Sequence, residues 1–161
     1  MKTLAIFYSE YSPTIDAIKY HLQNIKIVEN PSLTEGYDLC VLCSYNKALD
    51  VNAVNIHHSL LPTFDSETPI RDAFLSGVKV TGLTIYYTKT KQIIAQYPIF
   101  ISNSDHYDDI KNTITYLEQI IYPLVIEKLL LNEPFDIKDL LKQHNNSASC
   151  CSCGGCGQCK H

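Results

Sequence analysis

Two side chains with complementary chemistry stand two residues apart in Asn55-Ile56-His57-His58-Ser59-Leu60-Leu61-Pro62, just after the apolar pair Ala53-Val54. In an extended chain alternate side chains share a face, so Asn55 and His57 are expected to point one way and His58 the other. An amide that donates to a developing oxyanion, beside an imidazole that titrates near neutral pH, suits acyl transfer to an amine. Alone, the triplet is better read as a polar strand end or a satisfied core histidine. A second chemical pattern closes the chain. Cys150, Cys153, Cys156 and Cys159 recur at every third position. Four thiolates in overlapping C-x-x-C units satisfy tetrahedral zinc, and the spacing partly matches iron–sulfur ligation runs. The plain alternative is a flexible, reduced tail. Cys40 and Cys43 sit inside an apolar run and read as buried and inert.

The elements that must position these residues read as an α/β domain. Residues 4–8 form a first buried strand, and Ser12-Pro13 opens a helix whose apolar face is Ile15, Ile18 and Leu22. Residues 25–28 are a short strand, and the continuous apolar run 38–43 has the look of a parallel strand covered on both faces. After a polar loop, Pro69 begins a short helix that runs to Ser76 and stops at Gly77. Residues 78–88 and 93–101 are rich in β-branched and aromatic types and meet across 89–92, the pattern of a long hairpin. Asp105 is the expected cap of a long amphipathic helix marked by Ile110, Ile114, Leu117, Ile121 and Leu124, with Tyr116 and Tyr122 packing. Glu133-Pro134 ends it, and Ile137, Leu140 and Leu141 suggest one more short helix. The polar run 145–149 then separates a folded unit, 1–144, from a disordered Cys-rich tail, 145–161.

Composition narrows the function. A chain of 161 residues with 45% hydrophobic and 19% charged residues has enough apolar content for one domain's core. A formal charge of −4 gives no footprint for nucleic acid or an anionic membrane. No apolar run approaches the roughly 18 residues of a spanning helix, and residues 1–8 lack the form of a signal peptide. The expected partner is a small-molecule substrate and the expected location cytoplasmic.

The octapeptide 55–62, followed by Ser76-Gly77-Val78-Lys79-Val80-Thr81-Gly82-Leu83-Thr84-Ile85-Tyr86-Tyr87, closely resembles the folate-dependent formyltransferases, above all those that act on glycinamide ribonucleotide. The resemblance implies a Rossmann-like formyltransferase fold: a mostly parallel sheet with a long C-terminal hairpin and flanking helices. It implies transfer of a formyl group from 10-formyltetrahydrofolate to an amine such as glycinamide ribonucleotide, with Asn55 stabilising the oxyanion and His57 handling the proton. It also places Tyr45, Lys47, Ala48 and Leu49 at the pterin pocket, Ser12 at the phosphate turn, and Ser59 and Thr84 among the binding residues.

The sequence departs from that family twice. The turn Ser9-Glu10-Tyr11-Ser12-Pro13 has no glycine, and Glu10 repels a phosphate. The hairpin connection Thr88-Lys89-Thr90-Lys91 is short and has no acid where the family carries an aspartate beside the histidine. A weakly active or inactive relative, binding folate or an anionic metabolite and acting through a metal-binding tail, is the alternative reading.

Overall fold

The computed structural model describes residues 1–32, 35–45, 47 and 49–142. Ala48 and the four evenly spaced cysteines lie outside the described residues. Six strands form one sheet: β1 (Thr3–Tyr8), β2 (Lys26–Glu29), β3 (Leu39–Cys43), β4 (Val54–His57), β5 (Val80–Tyr87) and β6 (Ile93–Phe100). Their order is β2-β1-β3-β4-β5-β6. The first four run parallel, while β5 is antiparallel to both β4 and β6. The helices are α1 (Pro13–His21), α2 (Pro69–Ser76) and α3 (Tyr107–Leu131), and a further helical segment spans 137–142. This is the expected α/β architecture with its long hairpin.

The alternation of side chains divides the core between two faces of the sheet. Leu4, Ile6, Val41, Cys43, Val54, Leu83 and Ile85 pack against Ile15 and Ile18 of α1 and Ile114, Ile121, Val125 and Ile126 of α3. The intervening residues Ala5, Phe7, Cys40, Leu42 and Ala53 point the other way. They are covered by Tyr37, Tyr45, Leu49 and Val51, all from loops rather than helices. Three of these four, Tyr45, Leu49 and Val51, come from the connection between β3 and β4.

Two local details differ from the sequence reading, the cap of α3 and Tyr116. The cap of α3 is His106, whose backbone N–H donates to the Asp109 carboxylate at 2.8 Å. Asp105 instead accepts from the Ser102 N–H at 2.7 Å and closes the preceding turn. Tyr116 is exposed rather than packed, whereas Tyr122 is wholly buried. Ser12 is the N-cap residue of α1, with its hydroxyl buried and making no hydrogen bond among the described residues. Gly77 ends α2 at a positive φ of 73°, as a C-terminal glycine should.

Strands β3 and β4 are paired at a single position, Val41 opposite Val54. Beyond it they diverge, and the Tyr122 hydroxyl lies between them, 2.9 Å from the Leu42 carbonyl and 3.0 Å from that of Val54. The divergence opens the carboxyl edge of the parallel sheet, where ligands of open α/β folds bind.

Candidate active site

Asn55 stands in β4, opposite Tyr86 of β5. Its Oδ1 accepts from the Ile56 N–H at 2.9 Å, and its Nδ2 donates to the Tyr86 hydroxyl at 3.3 Å. These two contacts fix which end of the amide is the donor. One of the two Nδ2 hydrogens remains for a ligand.

The side chain borders two clefts. One, of about 320 Å³, is lined by Leu42, Tyr45, Lys47, Leu49, Asn55, Thr88 and Lys89. The other, of about 200 Å³, is lined by Ser44, Tyr45, Asn55, Ile56, His58 and Glu118. Tyr45 belongs to both and also to a cleft of about 570 Å³ that extends past Tyr8, Ser9 and Asn30 at the ends of β1 and β2. Tyr45, Lys47 and Leu49 thus line the same cleft as Asn55.

His57 lies two residues on, in the same strand, and opposite Thr84. Its Nε2 is 3.0 Å from the Phe64 carbonyl. A carbonyl only accepts, so Nε2 carries the proton and Nδ1 is the position left for proton exchange. Ser59 and Thr84 build the loop beneath it. The buried Ser59 hydroxyl donates to the Thr63 carbonyl at 2.6 Å. The Thr84 hydroxyl donates to the Ser59 carbonyl at 2.6 Å and accepts from the Leu61 N–H and the Gln96 amide. One donor and two lone pairs are all engaged there.

The hairpin tip is tied to the β3–β4 connection. Lys89 pairs with Asp50 at 2.8 Å, and the Asn52 amide oxygen accepts from the Lys89 N–H at 3.0 Å. Lys91 lies 5.3 Å from the centre of the Tyr86 ring. The lysines at this tip therefore brace the rim of the Asn55 cleft. Among the described residues no acid takes the place of the family aspartate by a hydrogen bond to the His57 ring. Asp105 caps its own turn, and Asp65 and Glu67 are exposed without a hydrogen bond to the ring.

A polar cluster went unread in the sequence. Glu118 of α3 is buried, with Oε1 accepting from the Thr14 hydroxyl at 3.0 Å and Oε2 standing 2.6 Å from His58 Nε2. Nearby, burial pushes the Cys43 thiol up, with the charge of Glu118 adding to it. Burial likewise holds the Tyr122 phenol well above its usual value, so both groups stay neutral. The one available signal was a glutamate in the apolar stripe Ile114, Ile121, Tyr122.

The site thus lies at the carboxyl edge, on an Asn-x-His strand end, in a mostly parallel sheet continued by a hairpin. The sequence model of the formyl transferase family matches residues 35–126, and the chain belongs to that family. It is 43% identical to phosphoribosylglycinamide formyltransferase of Bacillus subtilis (strain 168) over 81 residues, 48% of this chain and 42% of that protein. It is 34% identical to formyltetrahydrofolate deformylase of Synechocystis over 95 residues, 52% of this chain and 34% of the other. The matched segments thus span less than half the length of these curated relatives. The crystal structure of phosphoribosylglycinamide formyltransferase from Bacillus halodurans superposes with a TM-score of 0.66 at 25% identity, covering 80% of this chain and 95% of that one. The enzyme of the same name from Brucella melitensis gives a TM-score of 0.69 at 18% identity, over 84% and 98%, a likeness of fold.

Proposed function

We propose that the chain transfers a formyl group from 10-formyltetrahydrofolate to an amine. The observation that carries this reading is the Asn55 amide, fixed with its donor end at the junction of two clefts. The larger of the two suits the pterin, with Tyr45, Lys47, Ala48 and Leu49 as its binding segment. Asn55 donates to the oxygen of the attacked formyl group, and His57 moves a proton through Nδ1. Ser12, Ser59 and Thr84 complete the proposed binding set. Ser12 does so through the hydroxyl that lacks a partner, and Ser59 and Thr84 by shaping the loop. Glycinamide ribonucleotide is the first acceptor to test, because relatives carry its formyltransferase name.

The second reading is a folate-binding relative without turnover. What favours it is the tip Thr88–Lys91, which has no acid and whose Lys89 is committed to Asp50. Titration with a folate ligand, together with a formyl-transfer assay, separates the two. Transfer from 10-formyltetrahydrofolate that falls at least about tenfold in His57→Ala supports the enzyme. Folate binding with no transfer and no formate release supports the second reading instead.

The tail forms a separate segment, 145–161, whose Cys150, Cys153, Cys156 and Cys159 hold zinc or an iron–sulfur cluster in this proposal, on their spacing alone. Among the described residues, no group of three or more His, Cys, Asp or Glu side chains is placed to hold a metal. Equal metal content in full-length protein and in a chain ending at residue 144 would remove the tail's role. None of the described helices is long and apolar enough to cross a membrane. We place the protein in the cytoplasm with small-molecule partners only.

A further inference from the structure

The geometry points to His58, held by Glu118, as the base that takes the proton from the acceptor amine, leaving His57 to serve the folate nitrogen. This inference rests on the formyl-transfer reading above. Transfer requires two proton movements on opposite sides of one carbon. The acceptor nitrogen loses a proton as it bonds to the formyl carbon, and N10 of the folate gains one as its bond to that carbon breaks. Strand β4 ends at His57; against the alternation expected from the sequence, it is His58, in the turn that follows, that lines a cleft with Asn55, while His57 Nε2 is held by the Phe64 carbonyl.

Their surroundings match that division. His58 Nε2 is 2.6 Å from Glu118 Oε2, and an ionised carboxylate only accepts, so Nε2–H is committed and Nδ1 carries the lone pair. The Thr14 hydroxyl fixes the other oxygen of the carboxylate at 3.0 Å. An imidazole hydrogen-bonded to a carboxylate through one nitrogen is oriented in one tautomer, with the other nitrogen left to accept a proton. The Glu118 side chain is 10% exposed and that of His58 35%, so the carboxylate is withdrawn from solvent while the ring reaches the cleft.

His58, Glu118 and Asn55 line the same cleft, which places the base and the oxyanion donor around one space. On its far side the His58 ring borders a second cleft of about 340 Å³, lined also by Glu67, Ile70, Arg71 and Tyr107. That space accommodates the remainder of the acceptor. Beside His58, Glu67 and Arg71 give that cleft one charge of each sign.

The step balances without an added reagent. The amine attacks the formyl carbon of 10-formyltetrahydrofolate, and its proton passes to His58 Nδ1. The resulting oxyanion takes a hydrogen bond from Asn55 Nδ2. The carbon–N10 bond then breaks, N10 receives the Nδ1 proton of a His57 that has entered the cycle as imidazolium, and the products are the N-formyl amine and tetrahydrofolate. Solvent returns both imidazoles to their starting states.

Steady-state kinetics on the full chain, with 10-formyltetrahydrofolate and either glycinamide ribonucleotide or glycinamide, tests the assignment. His58→Ala should lower kcat by about 10²-fold or more, with the folate KM changed by less than about threefold. Added imidazole should restore at least about tenfold of the loss, as expected of a missing base and not of a misplaced loop. Glu118→Gln keeps an acceptor for His58 but not the charge, and should lower kcat by about tenfold without changing the folate KM. It also reports on the pair should His58→Ala fold poorly. Wild-type transfer with His58→Ala equally fast would overturn this inference and leave the formyl-transfer reading standing. A wild type inactive with both amines would overturn the two together.

Discussion

Tyr122→Phe removes one oxygen from the centre of the molecule and leaves the packing around it unchanged. The hydroxyl is wholly buried and donates between the carbonyls of Leu42 and Val54, at 2.9 and 3.0 Å. Because β3 and β4 share only the Val41–Val54 pair, this one group spans the gap where their ladder ends. Phenylalanine fills the same volume, so no cavity penalty enters. The loss is that of a buried hydrogen bond whose acceptors are left in an apolar setting, about 1–3 kcal/mol. A central value of about 2 kcal/mol lowers the Tm of a chain this size by about 4–8 °C. Urea unfolding followed by circular dichroism should show a lower midpoint at an unchanged slope, since the exposed surface is the same. A Tm within about 1 °C of the wild type would refute the reasoning, because it would mean that the two carbonyls lose nothing.

Gly82→Ala should be among the most damaging single changes in the domain. A Cβ there would lie 2.1 Å from the Tyr97 carbonyl oxygen and 2.7 Å from Leu60 Cδ2, so β6 and the loop after β4 must both move. A loss of about 3 kcal/mol or more is expected by chemical denaturation, and a loss below about 1 kcal/mol would contradict the contact. The acid limb of stability should depend on Asp38. The Thr3 N–H and hydroxyl, at 2.7 and 2.9 Å, together with Lys2, hold its carboxyl below the usual range. A depressed folded-state pKa contributes stability that is full above about pH 4 and is lost as pH falls through the folded value. Asp38→Asn should therefore flatten the fall in urea midpoint at acid pH, and an unchanged slope would argue against this linkage.

Much of the fold was legible because its signals are local. Pro69 and Gly77 bracket α2 by backbone preference alone. The unbroken apolar run at 39–43 announced a strand covered on both faces, and the structure covers it on both. The cap of α3 was misplaced by one residue because Asp105 satisfies a competing turn with Ser102. The site divided along the same line. Asn55 and the segment that brings Tyr45, Lys47 and Leu49 to it came from a contiguous motif and its neighbours. Glu118 did not, for its partners His58 and Thr14 are 60 and 104 residues away in sequence and no spacing rule reaches them. The Lys89–Asp50 pair likewise joins two loops that no local pattern links.

Glu118 and Tyr122 are four residues apart on α3, one turn of a single helix, and so lie along the same stripe. One reaches the edge of the sheet beside Asn55 and the other ties β3 to β4. With the second face of the sheet roofed by loops, this stripe is where durability and chemistry share one rigid body. A slide or tilt of α3 would therefore displace both groups at once.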